Sequence, residues 1–218
     1  MPRISKQSPQ ILDFTLLDRI EAPSAFRRSP RELVPALEKL PQTLARAEAA
    51  SYFAARVSNP NDFGTDCDAW QREAYLRAAL VEFVSIEYVL PQELKALAIN
   101  IATPRIQHSH NPLLHVVAAL RHMNVHLTAS DLSESRRLAV WPISPTPIEF
   151  TYRMWVVQPL APEDLNRRQG PKFASADVDR MRSWFSSAQA EWGVHNLVQH
   201  AIIEYSKFIV AAVHQAST

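Results

Sequence analysis

Sixteen prolines against three glycines set the punctuation of this 218-residue chain. Proline lacks an amide proton and clashes with the preceding helical turn, so it belongs in a first turn or in a link. Here the prolines fall between segments whose apolar residues recur at helical spacing, and they mark element boundaries. The chain is expected to be mainly all-α, a helical bundle with one small β insertion. Ser29, Pro30 and Glu32 read as a helix start in which the Ser side chain caps, Pro takes the first turn and Glu reaches back. A helix over about 30–57 follows, with Pro41 as a kink or break. Residues 59–68 form a loop by composition, and Asp66 or Asp68 can cap the next helix, over about 69–90. In that helix Trp70, Tyr75, Leu76, Leu80, Phe83, Val84, Ile86, Tyr88 and Leu90 leave no clean polar stripe, which predicts a position at the centre of the bundle.

Pro91 and Pro104 bracket a shorter predicted helix, and Asn111 with Pro112 supplies a cap and first turn for a helix over 113–127. From Ile148 the period changes to two, with Ile148, Phe150, Tyr152, Met154 and Val156 on one side. That is a strand, expected to pair with 138–141 as a hairpin insertion around residues 138–158. Ser175 is expected to cap a helix to about Trp192. A last helix over 194–213 presents Val194, Leu197, Val198, Ala201, Ile202, Tyr205 and Ile209 on one face. Residues 1–28, with a short apolar run from Ile11 to Leu17, read as a loosely structured lead-in, leaving 29–218 as one helical domain.

Composition bounds the partners. Apolar residues make up 47% and charged residues 21% of the chain, enough for one sizeable core. Lys plus Arg number 23 against 22 Asp plus Glu, so there is no global positive field and any RNA-binding surface must be local. The single cysteine, Cys67, cannot form an internal disulfide, and the start MPRISKQSPQ lacks the apolar core of a signal peptide. The longest apolar stretches, 78–84 and 208–213, are far shorter than the roughly 20 residues that span a bilayer. A reducing cytoplasm and no membrane partner are the expectation.

The most informative segment is NPLLHVVAALRHMNVHL. Projected at about 100° per residue, it puts Leu113, Val116, Val117, Leu120, Met123 and Leu127 on one arc with Asn124 among them. The opposite arc holds His115, Arg121, His122 and His126, interleaved with Ala118, Ala119 and Val125. A basic arc floored by small side chains suits either a cleft or a plain solvated face. Asn124 is expected to be a buried polar group bonded to a neighbouring helix, because leaving it unsatisfied costs about 1–3 kcal/mol.

The run from Arg121 to His126 resembles the motif of the HEPN family, an Arg followed by a polar residue and, after a short gap, by His on a bundle helix. The resemblance covers this helix and, more loosely, residues 65–130 with the C-terminal helices; the strand pair and the lead-in lie outside the minimal pattern. It implies a helical bundle that dimerises, with motif helices from two subunits lining one cleft, and metal-independent RNA cleavage. It also implies a toxin or antiviral defence role, with an antitoxin or regulatory protein as possible partner, and no cofactor or metal. In that chemistry the ribose 2′-hydroxyl attacks the adjacent phosphate. His126, a residue type whose unperturbed imidazole titrates near neutrality, is the expected general acid or base. Arg121 would hold the phosphate with its planar fork of donors, and His122 would orient the substrate or carry a second proton. Arg121 and His126 lie about 140° apart around the helix axis, so one copy converges poorly and a homodimer through residues 111–127 is expected.

Several residues carry two readings. Glu82 and Glu87 either pair with Arg121 or are plain surface carboxylates. His115 and His195 are expected to be solvated, as are the loop residues His108 and His110. Phe150, Tyr152 and Trp155 could stack bases, although packing of the strand on the bundle accounts for the first two. Two other functions remain open: a non-catalytic RNA-binding or protein-interaction module, and a metal site built from His115, His122 and His126. The second lacks an HExxH pattern or paired cysteines.

Overall fold

Proline opens four of the seven helices in the described part of the chain. In the computed structural model, which describes residues 9–18, 29–58, 69–126, 132–141, 148–166 and 172–216, these are α1 (Pro30–Leu33), α2 (Pro41–Ser58), α3 (Ala69–Ala96), α4 (Pro112–His126), α5 (Pro162–Leu165), α6 (Ser175–Trp192) and α7 (Val194–Gln215). Strands β1 (Ser133–Trp141) and β2 (Ile148–Val156) lie between α4 and α5. The architecture is thus a mainly-α bundle with a small β-hairpin, as the sequence predicts. Capping follows the expected residues at two starts: Ser29 Oγ accepts from the Glu32 amide at 3.3 Å, and Asn111 Oδ1 from the Leu113 amide at 3.0 Å. At α6 the cap position is Ala174, and Ser175 is already inside the helix.

Helices α2 and α3 pack as an antiparallel pair. Buried Thr43, Ala47, Ala50, Ala54 and Val57 on α2 and Arg72, Leu76, Ala79, Phe83, Ile86, Leu90 and Glu93 on α3 alternate three and four apart, a coiled-coil seam with small side chains facing large ones. The two polar members of the α3 seam hold the ends of α2. Glu93 Oε1 and Oε2 accept from the amides of Gln42 at 2.6 Å and Thr43 at 2.9 Å, placing an anion at the α2 N-terminus. Arg72 Nη1 donates to the Val57 carbonyl at 2.7 Å, placing a cation at the C-terminus. Both charges complement the helix dipole and satisfy end groups that have no partner inside the helix.

Two helix boundaries differ from expectation. The region 30–57 breaks twice, at Val34 and Leu40, where Pro35 opens a 3₁₀ turn (Pro35–Lys39) and Pro41 opens α2. Conversely, α3 continues through Pro91 to Ala96, so no separate helix lies between Pro91 and Pro104. Nor is α3 central: its buried residues form one seam, while Trp70, Val81 and Tyr88 are exposed. The central helix is α7, whose seven predicted face residues are all buried and which packs against α2, α3, α4 and α6. Gly193 alone joins α6 to α7 at φ +77°, a conformation that disfavours side chains, and a Cβ there would meet the His195 ring at 2.7 Å.

The hairpin pairs antiparallel from Ser133 with Val156 to Trp141 with Ile148, so its first strand starts five residues before the predicted 138. Both faces are buried at its base, where Met154 and Trp155 pack among α2, α6 and α7. The Arg72 guanidinium lies 4.4 Å from the Trp155 ring centroid, and the Gln189 side-chain amide exchanges two hydrogen bonds with the Val157 backbone at 2.9 and 3.0 Å. Residues 9–18 are not a loose lead-in. Phe14 and Leu17 are buried in the main core, and the Gln10 and Asp13 amides donate to the carbonyls of Lys172 at 2.6 Å and His110 at 2.8 Å. The predicted loop 59–68, with Cys67 and the caps Asp66 and Asp68, lies outside the described residues.

Candidate functional site

Helix α4 carries the Arg121 to His126 motif, and the bundle treats its two ends differently. From Asn111 to Leu120 every residue is buried except Ala118, because α3, α5, α6 and α7 surround this part of the helix. Burial eases at Arg121, His122 and Met123, which are partly exposed. Burial of α4 therefore eases at the first residues of the motif. Asn124, Val125 and His126 complete the helix, and their side chains lie outside the described ones, as do those of Phe150 and Tyr152.

Within the motif, Arg121 Nε is buried and has no hydrogen-bond partner. A buried N–H left unsatisfied costs about 1–3 kcal/mol, so a group that persists this way is a candidate for binding something from solution. Its neighbour His122 is also half-buried. Neither of the two carboxylates considered as support is engaged at Arg121. Glu82 receives Arg46 Nη1 at 2.9 and 3.2 Å, and Glu87 accepts from the Ile106 amide at 2.6 Å, holding the 3₁₀ turn Ile106–His108 against α3. Burial raises the pKa of Glu87 above the ordinary carboxylate value, opposed by the Ile106 hydrogen bond and the charges of Arg105 and His108. The Tyr205 hydroxyl donates to the Pro104 carbonyl at 2.9 Å, and burial, with the Glu87 charge adding to it, pushes that phenol upward.

His115 is corrected from a solvated residue to an interior one, 5% exposed. Its Nε2 lies 2.8 Å from the Ser109 carbonyl, and its ring meets Phe173 edge-on at 5.0 Å. Burial lowers its pKa from 6.5 to about 4, so the ring is neutral at pH 7, and Nε2 is the nitrogen that donates to Ser109. The same carbonyl accepts from Gln10 Nε2 at 3.2 Å, which ties the N-terminal strap to the start of the motif helix. That second partner has no local signal in the sequence, being 99 residues away. His195, also expected in solvent, is buried at the start of α7. His108 and His110 are exposed as expected, and His110 Nδ1 lies 2.8 Å from the Ile11 carbonyl.

These placements bear on the other readings. His115 is committed to the interior of the bundle, and among the described residues no group of three His, Cys, Asp or Glu side chains could hold a metal ion. Trp155 is 8% exposed beneath Arg72 and cannot offer a face to a base. With residues 111–117 and 119–120 enclosed by their own subunit, an interface running the length of α4 is ruled out, and only its last turns can meet a second copy. No helix among the described residues is long and apolar enough to cross a membrane. An open depression of about 240 Å³ between Pro159 and Ser186 contains no motif residue, and its Arg182 is bound to the Leu160 carbonyl at 2.6 Å. Comparison with models of protein families, with curated proteins and with solved structures gave no match.

Proposed function

We propose that the last turns of α4 bind an RNA phosphodiester and cleave it without a metal ion, in the manner of the HEPN family that the motif resembles. The observation that carries this reading is the buried, unpartnered Nε of Arg121 where burial of the motif helix eases. A guanidinium with a vacant donor at the edge of the core suits a phosphate oxyanion; Arg72 Nε is likewise buried without a hydrogen-bond partner, but that guanidinium is already committed to the Val57 carbonyl and the Trp155 ring. In the proposed step a base, His126 or His122, takes the 2′-hydroxyl proton. The 2′-oxygen then bonds to phosphorus, the bond to the 5′-oxygen breaks, and the second imidazole returns a proton to that oxygen. Arg121 stabilises the charge that accumulates on the phosphorane. A second copy of the chain is proposed to complete the cleft, in a cytoplasmic setting under control of an antitoxin or other regulatory protein.

The test uses purified chain, a single-stranded RNA, the matching DNA and a chelator. Expected are products ending in a 2′,3′-cyclic phosphate and a 5′-hydroxyl, no cleavage of DNA, and indifference to chelation, since DNA lacks the nucleophile. His126→Ala lowers the rate on the order of 100-fold or more, and Arg121→Lys also fails because an ammonium loses the two-point grip. RNA binding that depends on Arg121 without any cleavage would replace this reading by a non-catalytic RNA-binding module. Cleavage that survives unchanged in both His126→Ala and Arg121→Ala would belong to a contaminant.

A further inference from the structure

The hairpin sets two like charges directly against each other. Arg136 on β1 stands opposite Arg153 on β2, and residues opposite in an antiparallel pair share a face. Like charges so placed destabilise a strand pair, and one carboxylate oxygen lies near both: Glu134 Oε1 is 2.7 Å from Arg136 Nε and 3.8 Å from Arg153 Nε. Neither guanidinium is drawn into the core, for the two side chains are 68% and 51% exposed. Exposed ion pairs contribute little, so either group can exchange a carboxylate for a phosphate at small cost. The next pair outward on this face is Leu138 and Thr151, both exposed, Leu138 to 61%. Toward the base the face ends at Trp155, which is buried beneath Arg72.

We infer that this face of the hairpin binds the phosphate chain of a single-stranded polynucleotide, with Arg136 and Arg153 each taking one phosphate and Leu138 lying against a sugar or base. Guanidinium groups hold phosphate through a planar fork of donors, and such contacts fix a strand in place without reading its sequence. An open ribbon has no enclosed pocket to retain a single free phosphate, whereas a chain of repeated charges gains at each contact by releasing counterions. One exposed leucine beside two cations is too little apolar surface for a bilayer. The position suits the motif: seven residues separate His126 from Ser133, a span of at most about 25 Å, so a strand held on the hairpin can reach the end of α4. That this strand is RNA rests on the reading of the motif proposed above, while the contact itself recognises only phosphate.

Fluorescence anisotropy with a labelled single-stranded DNA of about 20 nucleotides, at salt from about 50 to 400 mM, reads this contact apart from cleavage, because DNA keeps the phosphates and lacks the 2′-hydroxyl. Two phosphate contacts account for a slope of about −1.4 in log K against log salt, so Arg136→Gln/Arg153→Gln should flatten the slope by that amount and weaken binding about 25-fold at about 0.1 M. Arg136→Lys/Arg153→Lys keeps both charges and should keep the slope. Arg31→Gln/Arg77→Gln removes two cations of similar exposure, 60% and 52%, and should leave slope and affinity unchanged. No binding by the wild type, or the same slope in the Gln pair, overturns the inference. So does equal loss in the Lys and Gln pairs, which would make the two arginines a structural network. Binding of phosphatidylserine vesicles that depends on the pair, with no binding of the oligonucleotide, overturns it too. A chain that cleaves no RNA yet binds DNA through this pair would sink the ribonuclease reading and leave this one standing.

Discussion

Arg121→Met separates a binding residue from a structural one through stability alone. In the folded chain Arg121 Nε is buried without a partner. The penalty for such a donor is about 1–3 kcal/mol, and partial exposure of the side chain argues for the lower end. Methionine keeps an unbranched apolar stem and removes the donor. The variant should therefore be more stable than wild type by about 1 kcal/mol, or roughly 2–4 °C in Tm for a chain of this size. Urea unfolding is the assay, with the midpoint rising at constant slope. Adding inorganic phosphate at about ten times its Kd should stabilise wild type by about 1.4 kcal/mol and leave the variant unmoved. A loss of 1 kcal/mol or more in Arg121→Met would refute the reasoning, since it would mean the guanidinium is already used to hold the fold.

Two further outcomes follow from buried polar groups. His115 titrates at about 4 in the fold against 6.5 when free, so the unfolded chain binds the extra proton between those values. The contribution, about 3 kcal/mol, is fully present above pH 6.5 and is lost as pH falls toward 4; the raised pKa of Glu87 acts in the opposite sense above its ordinary 4.5, within the same window. Unfolding curves from pH 4 to 7.5 should show this slope, and it should shrink in His115→Gln. Glu93→Ala removes both acceptors from the first amides of α2 and should cost about 3 kcal/mol by urea titration; a change under 1 kcal/mol would mean that solvent caps this end equally well.

What the sequence discloses of the fold tracks the range of the interaction responsible. The caps at Ser29 and Asn111, the face of α7 and the strand at 148–156 rest on residues a few positions apart, and each is present. Pro91 misleads because a missing amide near the end of a long, well-packed helix removes only the bond that the Glu87 carbonyl would accept, while Leu90, Glu93 and Leu94 on either side of it remain buried in the seam. The strap at 9–18 has too few apolar residues to announce itself, and its docking depends on carbonyls at His110 and Lys172 about a hundred or more residues away. For α3, periodicity reveals an apolar circumference but not how many neighbours the fold supplies to cover it.

The candidate site was legible to the same limit. A helical projection groups His115 with Arg121 and His122 because it sees only direction around an axis. It is depth along the axis that divides them: His115 sits two turns earlier, where four helices close around α4, and the Ser109 carbonyl satisfies its ring. Arg121 comes where that enclosure opens, and no main-chain acceptor reaches its Nε. Two polar residues on one arc therefore have opposite roles. One is a neutral, bonded part of the core and the other a cation with a donor to spare, and the distinction depends on how the segment before Asn111 returns to cover the start of α4. That return is made by Glu87 holding the Ile106 amide and by Tyr205 holding the Pro104 carbonyl, contacts between elements distant in sequence, so residue spacing within 111–127 could place the motif on a helix but could not separate its members.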